Sequence, residues 1–448
     1  MKRRIRSAYA GRLTKFILMA AALMAATSGL QAADPETSIG VGFDVDGWCG
    51  DDKDVFASDG DNRIHHFWRT AKGLEPVRDV HVNPDVAICA LGPTQVYFLD
   101  PEFGILAFDR SPEAYPLIRP VYIQPPTGRG SIFPESFELE DTQGRMILNI
   151  SGGGRSMKLV APVLQRYAET PTVMPSVETD PVEASDDAAD DPAVLAGNGP
   201  TWILGADKRA GLRVYDLEGN QQAFLPTGRL NNVDALPAGK NRFIAAASNR
   251  TTIAVDLFTV TTDPLTVEHN TSFPLDFTDP YGLCMGVADG VSHVFVGDKE
   301  GNVEAWKLDN MLAAKRVFRI EFDTQTEGCV FDSLSKTLYV GEETAGVWAV
   351  DLESRERELL HAVDNETLVA DVEGVDIYQG DKTRYLVVSS QGDDSFVVYD
   401  LPGHKNLLKF RIVANRDKGV DGASETDGLS VTAHPLPGYP QGILVVQD

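Results

Sequence analysis

Segments 201–219 (TWILGADKRAGLRVYDLEG), 292–310 (SHVFVGDKEGNVEAWKLDN), 336–354 (KTLYVGEETAGVWAVDLES) and 384–403 (RYLVVSSQGDDSFVVYDLPG) follow one plan. Each has an apolar strand, a turn of charged residues and Gly, a second alternating strand and a closing Asp-Leu or Leu-Asp pair. Segment 241–260 fits with a looser turn, and 428–448 reads as a sixth copy interrupted by Pro435, Pro437 and Pro440. Successive copies begin 40, 51, 44 and 48 residues apart. That interval suits one four-stranded sheet per repeat, and six such units predict an all-β, six-bladed β-propeller. Val, Ile, Leu, Tyr and Phe dominate the strands, as sheets packed between neighbours require. Asn310 to Phe318 is the one short helix candidate.

The same plan recurs upstream at 52–70, 94–112 and 144–162. Three units cannot close a ring, so the upstream part is predicted to be an incomplete, propeller-like β domain with sheet edges to protect. Between the two parts runs TPTVMPSVETDPVEASDDAADDP, with the Pro, Thr, Ser and acidic composition of a linker. The predicted division is a leader at 1–33, the incomplete β domain at 34–169 and the six-bladed domain at 170–448. The leader reads as a secretory signal peptide: basic Lys2, Arg3, Arg4 and Arg6, an apolar run from Phe16 to Ala26, then Leu30-Gln31-Ala32 as a small-residue cleavage site. A secreted or periplasmic protein without a membrane span is expected.

A formal charge of −26, from 66 acidic and 40 basic residues, makes nucleic acid and anionic membranes poor partners. Cys49, Cys89, Cys284 and Cys329 are too dispersed for a zinc motif and are expected to be buried or disulfide-paired. His65 and His66 are adjacent in a strand-like run, so they should face opposite sides.

A propeller gathers the loops of one face around its channel, so equivalent positions in successive blades converge. Acids at such positions are Asp190, Asp191, Asp234, Glu327, Glu342, Glu343, Asp371, Glu373, Asp421, Glu425 and Asp427. With Asn231 and Asn232 they offer the hard oxygen ligands that Ca²⁺ prefers. The alternative is that these turns are acidic because they are solvated. Thr326-Glu327-Gly328, Val372-Glu373-Gly374 and Thr426-Asp427-Gly428 argue for a site, with Gly permitting a tight turn while the acid points into the channel. Lys208, Arg250 and Lys299 occupy corresponding turns of three blades. They form either an anion site or three separate surface pairs with acids such as Asp207 and Glu300.

From about residue 178 onward the chain resembles the β-propeller phytases. The resemblance rests on DDAADDPAV (186–194), the run from Lys208 to Tyr215, GRLNNVD (228–234), AAASNR (245–250), YG (281–282), GDKEG (297–301), TQTEG (324–328), YVGEE (339–343), DVEGVDIY (371–378), VVSSQGDDSFVVYD (387–400) and TDGLSV (426–431). It implies a 3-phytase-type phosphatase that hydrolyses phytate, inositol hexakisphosphate, by metal-assisted displacement at phosphorus with several Ca²⁺ ions. It implies catalytic roles for Glu327, Glu343, Glu373 and Asp371, and phosphate contacts for Lys208, Arg250, Tyr281 and Lys299. Glu178, Asp190, Asp191, Glu327, Glu343, Asp371, Glu373 and Asp427 resemble ligands around the cleavage-site calciums. Asn231, Asn232, Asp234 and Asp421 resemble positions at other calcium sites. The upstream turns hold Asp100, Phe103 and Gly152 to Gly154 in place of this pattern, so no catalysis is expected there. A six-bladed calcium-dependent lactonase and a non-catalytic binding propeller are the competing readings.

Overall fold

The computed structural model describes residues 45–448 other than 61, 84–85, 87–88, 101–102, 113–117, 124–133, 143–144, 162–169, 185–187 and 198. The predicted leader lies outside the described residues. What is described is built of antiparallel meanders, strand after strand in chain order. The first blade comprises Ala189–Leu195, Trp202–Asp207, Gly211–Tyr215 and Gln221–Leu225. Blades two to five begin with Leu230–Pro237, Pro280–Ala288, Thr326–Asp332 and Val372–Gln379, and each adds three further strands in order. The sixth has two, Leu429–Thr432 and Ile443–Val446, and Thr172–Val173 adds to the outside of blade five as a parallel strand. Upstream lie sheets of four, four and three strands, spanning 47–81, 89–123 and 136–160.

Burial follows position in the blade. The third strand of blade one, Gly211–Tyr215, is buried throughout, with Leu212 and Val214 packed toward blade two and Arg213 paired with Asp207. The fourth strand of blade two, Leu265–Pro274, is mostly exposed and correspondingly polar. Apolar clusters sit between successive blades: Leu204, Leu212, Val233 and Phe258 join blades one and two, and Leu257, Leu283, Val294 and Val296 join two and three. Phe396, Phe410 and Leu429 join five and six. The same stacking joins the upstream sheets through Phe56, Phe98 and Phe108. Because each sheet buries its faces against its neighbours, the inner strands come side by side, and that of blade six lies against those of blades five and one. Val194 N–H there donates to Ser430 Oγ at 3.2 Å.

The helix expected at 310–318 is replaced by a turn and the strand Ala314–Glu321, which pairs with Asn302–Leu308 as the outer strand of blade three. Local helix preference yields to an available sheet edge. His66 turns inward to Asp54 (2.9 Å) while His65 faces Asp59 and Asp79, the opposed orientation that a strand imposes. Each disulfide joins cysteines one repeat apart. Cys49–Cys89 links the first two upstream sheets, and Cys284–Cys329 links the inner strands of blades three and four.

One irregularity recurs where function is expected. The inner strand of each of blades one to five slips register against its neighbour, between Ala189 and Pro192, Leu230 and Val233, Pro280 and Leu283, Thr326 and Cys329, and Val372 and Val375. Each slip is a β-bulge that frees two residues from the ladder and re-aims them. The freed pairs are Asp190-Asp191, Asn231-Asn232, Tyr281-Gly282, Glu327-Gly328 and Glu373-Gly374. The innermost pairings of the upstream sheets keep regular register.

The glycines of these pairs serve a purpose other than tight turning, since none is in the left-handed region. A Cβ on Gly282 would lie 1.9 Å from the Glu327 carbonyl oxygen, and one on Gly328 would lie 2.1 Å from that of Glu373. Absence of a side chain lets the next blade's backbone close in, which keeps the channel narrow. Gly328→Ala should therefore destabilise the protein by about 3 kcal/mol, at the upper end of overpacking costs, as measured by urea unfolding; a change under about 1 kcal/mol would contradict this account.

Candidate active site

Two sets of side chains meet at the mouth of the channel. The first residue of each bulge gives Asp190, Asn231, Tyr281, Glu327 and Glu373, and Asp427 occupies the matching place before the inner strand of blade six. The residue that follows each blade's second strand gives the other set: Lys208, Arg250, Lys299, Glu343 and Gln391, with Gln447 in blade six. In this second set blades one to three thus contribute the cations, blade four a carboxylate, and blades five and six neutral amides.

Alternation along the strand explains why one member of each adjacent pair serves the site and the other the fold. Asp207, just before Lys208, accepts from the Arg209 and Ala210 amides at 2.8 and 3.0 Å. Asp298, before Lys299, accepts from the Glu300 and Asn302 amides at 3.0 and 2.8 Å. Glu342 accepts from Thr324 N–H at 2.6 Å and Trp348 Nε1–H at 2.8 Å, so of the Glu342-Glu343 pair only Glu343 faces the channel group.

Glu327, Glu343 and Glu373 each place a carboxylate oxygen within 4.8 Å of the others. Asn231 Nδ2 donates to Glu327 Oε1 at 2.9 Å and to Asn232 Oδ1 at 3.0 Å. Asp371 lies within electrostatic reach of Glu343, and its carbonyl accepts from Gln391 N–H at 3.0 Å. On the blade six side Lys208 Nζ pairs with Asp427 and lies 3.9 Å from Asp190 Oδ2, both buried. Arg250 forms a two-pronged pair with Asp279, at 2.9 and 2.6 Å, and reaches Asn231 Oδ1 at 3.3 Å. The Tyr281 ring lies between cations, with Arg250 at 5.4 Å and Lys299 Nζ at 4.2 Å. The cations are therefore not surface pairs of Asp207 and Glu300. Lys208 and Arg250 are held by Asp427 and Asp279, and Lys299 by an aromatic face.

This arrangement is electrostatically strained. Burial, then the nearby Glu327 carboxylate, holds Asp190 well above the usual carboxylate range, and the same causes act on Glu373. Burial and Glu327 also push Glu343 up to about 7. Both Asp190 oxygens and Glu373 Oε2 are buried without a hydrogen-bond partner. Unpaired acceptors of this kind cost about 1–3 kcal/mol each, and hard oxygen donors with no donor to meet are what a divalent cation takes as ligands.

Other predicted residues lie elsewhere. Asp191 Oδ2 accepts from Val233 N–H at 3.1 Å, and Asp234 accepts from the Met285 and Ala235 amides at 2.7 and 2.6 Å. Both carboxylates thereby bridge one blade to the next. Glu178 and Asp421 come together with Asp448 and Asp79, and burial followed by the Asp448 and Glu178 charges drives Asp421 up to about 9. Sequence reasoning missed Asp279, Gln325, which donates to Glu343, and Gln391, which donates to Asp427 Oδ1 at 2.6 Å. The signal for Gln391 was its position after the second strand, but an amide carries no charge to draw notice.

A family model described as Phytase matches residues 156–448. The chain belongs to the phytase family. A 3-phytase of Bacillus subtilis (strain 168) is 33% identical over 295 residues, which cover 60% of this chain and 77% of that protein. The crystal structure of the computationally designed Ika8 protein covers 86% of this chain and 89% of its own at 10% identity, with a TM-score of 0.33, too loose a likeness to argue from. As a phytase the chain is a phosphatase, and the lactonase and binding-module readings fall away. Among its described residues no helix is long and apolar enough to cross a membrane.

The half-buried carboxylates that bridge one blade to the next carry a pH signature. Burial pushes Asp376, which accepts from Val431 N–H at 2.7 Å, up to about 7, and Asp234 up to about 6. The folded state then keeps protons that the unfolded state has released, so between about pH 4 and 7 stability falls as pH rises, on the order of 1 kcal/mol per pH unit per group. Asp376→Asn should make that slope shallower in urea unfolding of metal-free protein; an unchanged slope would show that Asp376 keeps no proton.

Proposed function

We propose that this phytase is calcium-dependent and that residues 170–448 carry its activity, with phytate bound at the channel mouth between the carboxylates of blades four to six and the cations of blades one to three. The observation that carries the reading is the group of buried carboxylate oxygens without a hydrogen-bond partner on Asp190 and Glu373, beside the Glu327, Glu343, Glu373 triplet. Glu327, Glu343, Glu373, Asp371, Asp190 and Asp427 would hold the ions, and Asn231 would orient Glu327 through its amide. When bound, Ca²⁺ supplies neutralisation of phosphate oxygens and a more acidic water for attack at phosphorus.

The chain's own residues do the rest. Lys299, presented on the Tyr281 face, and Arg250, fixed by both oxygens of Asp279, offer donors to phosphate oxygens and hold them in one orientation. Because Arg250 is held by two bonds before substrate arrives, little is lost in ordering it. Lys208 stays buried between Asp190 and Asp427, where its charge offsets theirs and reaches the substrate from beneath.

A substrate as anionic as phytate and a protein of charge −26 repel one another at long range, so cation binding by the acids supports substrate capture as well as turnover. A leader at 1–33 would direct the protein to an extracellular or periplasmic space. Among the described residues the three upstream sheets keep regular innermost register, without the bulges that aim the site residues. We assign them no catalytic residues.

Phosphate released from phytate with added Ca²⁺, and then with excess chelator, tests the reading. Release that needs calcium supports it, and release indifferent to chelator sinks it. Glu327→Gln should reduce kcat by at least about a hundredfold, while Lys299→Ala should chiefly raise KM. Equal loss of kcat in both variants at unchanged KM would contradict the separation of roles.

A further inference from the structure

The loop that delivers Asp427 is gripped from outside the propeller. Glu425, two residues before Asp427, stands with φ at 48°, a left-handed conformation that a Glu adopts only when its surroundings hold it. Those surroundings are two side chains of the first upstream sheet and the propeller's own fifth blade. Arg63 Nη2 donates to Glu425 Oε2 at 3.3 Å, and His81 Nδ1 meets Glu425 Oε1. Asn62 Nδ2 lies 3.1 Å from His81 Nε2, so the ring accepts on that side and donates toward Glu425. From blade five, Asp394 Oδ1 accepts from Glu425 N–H at 3.0 Å. A little earlier in the loop, Gly422 N–H donates to Val77 O, in the same upstream sheet, at 3.0 Å.

From Glu425 the contacts run inward. Gln391 Nε2 donates to the Glu425 carbonyl at 3.4 Å and to Asp427 Oδ1 at 2.6 Å, and Ser389 Oγ donates to Thr426 O at 2.8 Å. Asp427 in turn meets Lys208. An unbroken series of polar contacts thus leads from the upstream sheet to a charged pair inside the site.

We infer that the first upstream sheet is a positioning element of the active site, in which Arg63 and His81 hold Glu425 and thereby set Asp427 against Lys208 and Gln391. The inference rests on the reading of the channel mouth as the place of phytate turnover. It gives the incomplete domain a task that needs no active site of its own. Released from Arg63 and His81, the 421–427 loop keeps its bonds to Asp394 and Ser389, and the Asp427 backbone keeps those to Gln447 and Gly374, so the propeller remains folded while the Asp427 carboxylate is set less firmly against Lys208.

The test uses the full chain. Arg63→Ala with His81→Ala should lower kcat on phytate about tenfold, the scale of a misplaced charged group. It should also raise the Ca²⁺ concentration for half-maximal activity several-fold, with KM and the melting temperature in chelator little changed. Arg63→Lys with His81→Asn, which retain a cation and a donor, should recover most of the loss, whereas Arg69→Ala, in the same sheet but bonded to the Asp51 carbonyl, should behave as wild type. If the double variant does not fold, Glu425→Gln, which keeps shape and loses charge, is expected to move kcat and calcium requirement the same way. Values within twofold of wild type for the double variant, or for Glu425→Gln where it stands in, would overturn the inference. Glu327→Gln assayed alongside separates the two levels: if it is inactive while the Arg63 and His81 variants are normal, only the positioning role fails, and if it turns over normally, the site reading fails with it.

Discussion

Mutual repulsion among buried carboxylates is the constraint on which the rest of this structure depends. Asp190, Glu327, Glu373 and Asp427 are brought to one small region by four different blades, largely shielded from water, with one buried lysine among them. Carboxylates so placed stay charged only when enough opposite charge arrives, and otherwise take up protons. Burial and neighbouring acids hold Asp190 and Glu373 well above the ordinary range. A fold that accepts this cost is suited to the cations proposed for the site.

The propeller creates the crowd by repeating one local device. A bulge at the same place in five inner strands frees a pair of residues from the ladder, and the first of the pair turns to the channel. What differs between blades is only the identity of that residue and of the one after the second strand. Those two choices per blade polarise the mouth, with Arg250, Lys299 and Tyr281 on one side and Glu327, Glu343 and Glu373 on the other. In the proposed reading a polyanion would be held by the cations at one end, while the carboxylates at the other would hold the ions that neutralise its reacting phosphate.

Much of this was legible in the sequence, because repetition converts position in a repeat into position around a ring. The strand plan and the turns bearing Lys208, Arg250, Lys299 and Glu343 follow from that alone. Other features leave little trace. A bulge inserts one extra residue, which disturbs alternation no more than chance does, so the reason for Gly282 and Gly328 emerges only when the next blade's backbone is seen against them. Gln391 and Gln325 are neutral, and a search by charge passes over them. Glu178 shares its composition with the linker around it, and only the fold brings it to Asp421 and Asp448. The strand at 314–321 reads locally as a helix because its partner supplies the decisive hydrogen bonds.

A cation held by Glu327, Glu343 and Glu373 would supply the positive charge that this group lacks. An anomalous difference map from crystals grown with calcium tests this most directly. The account predicts a peak enclosed by the oxygens of those three residues, with density extending toward Asp190. Calcium confined to other parts of the molecule, with the three carboxylates left facing only one another and water, would contradict it.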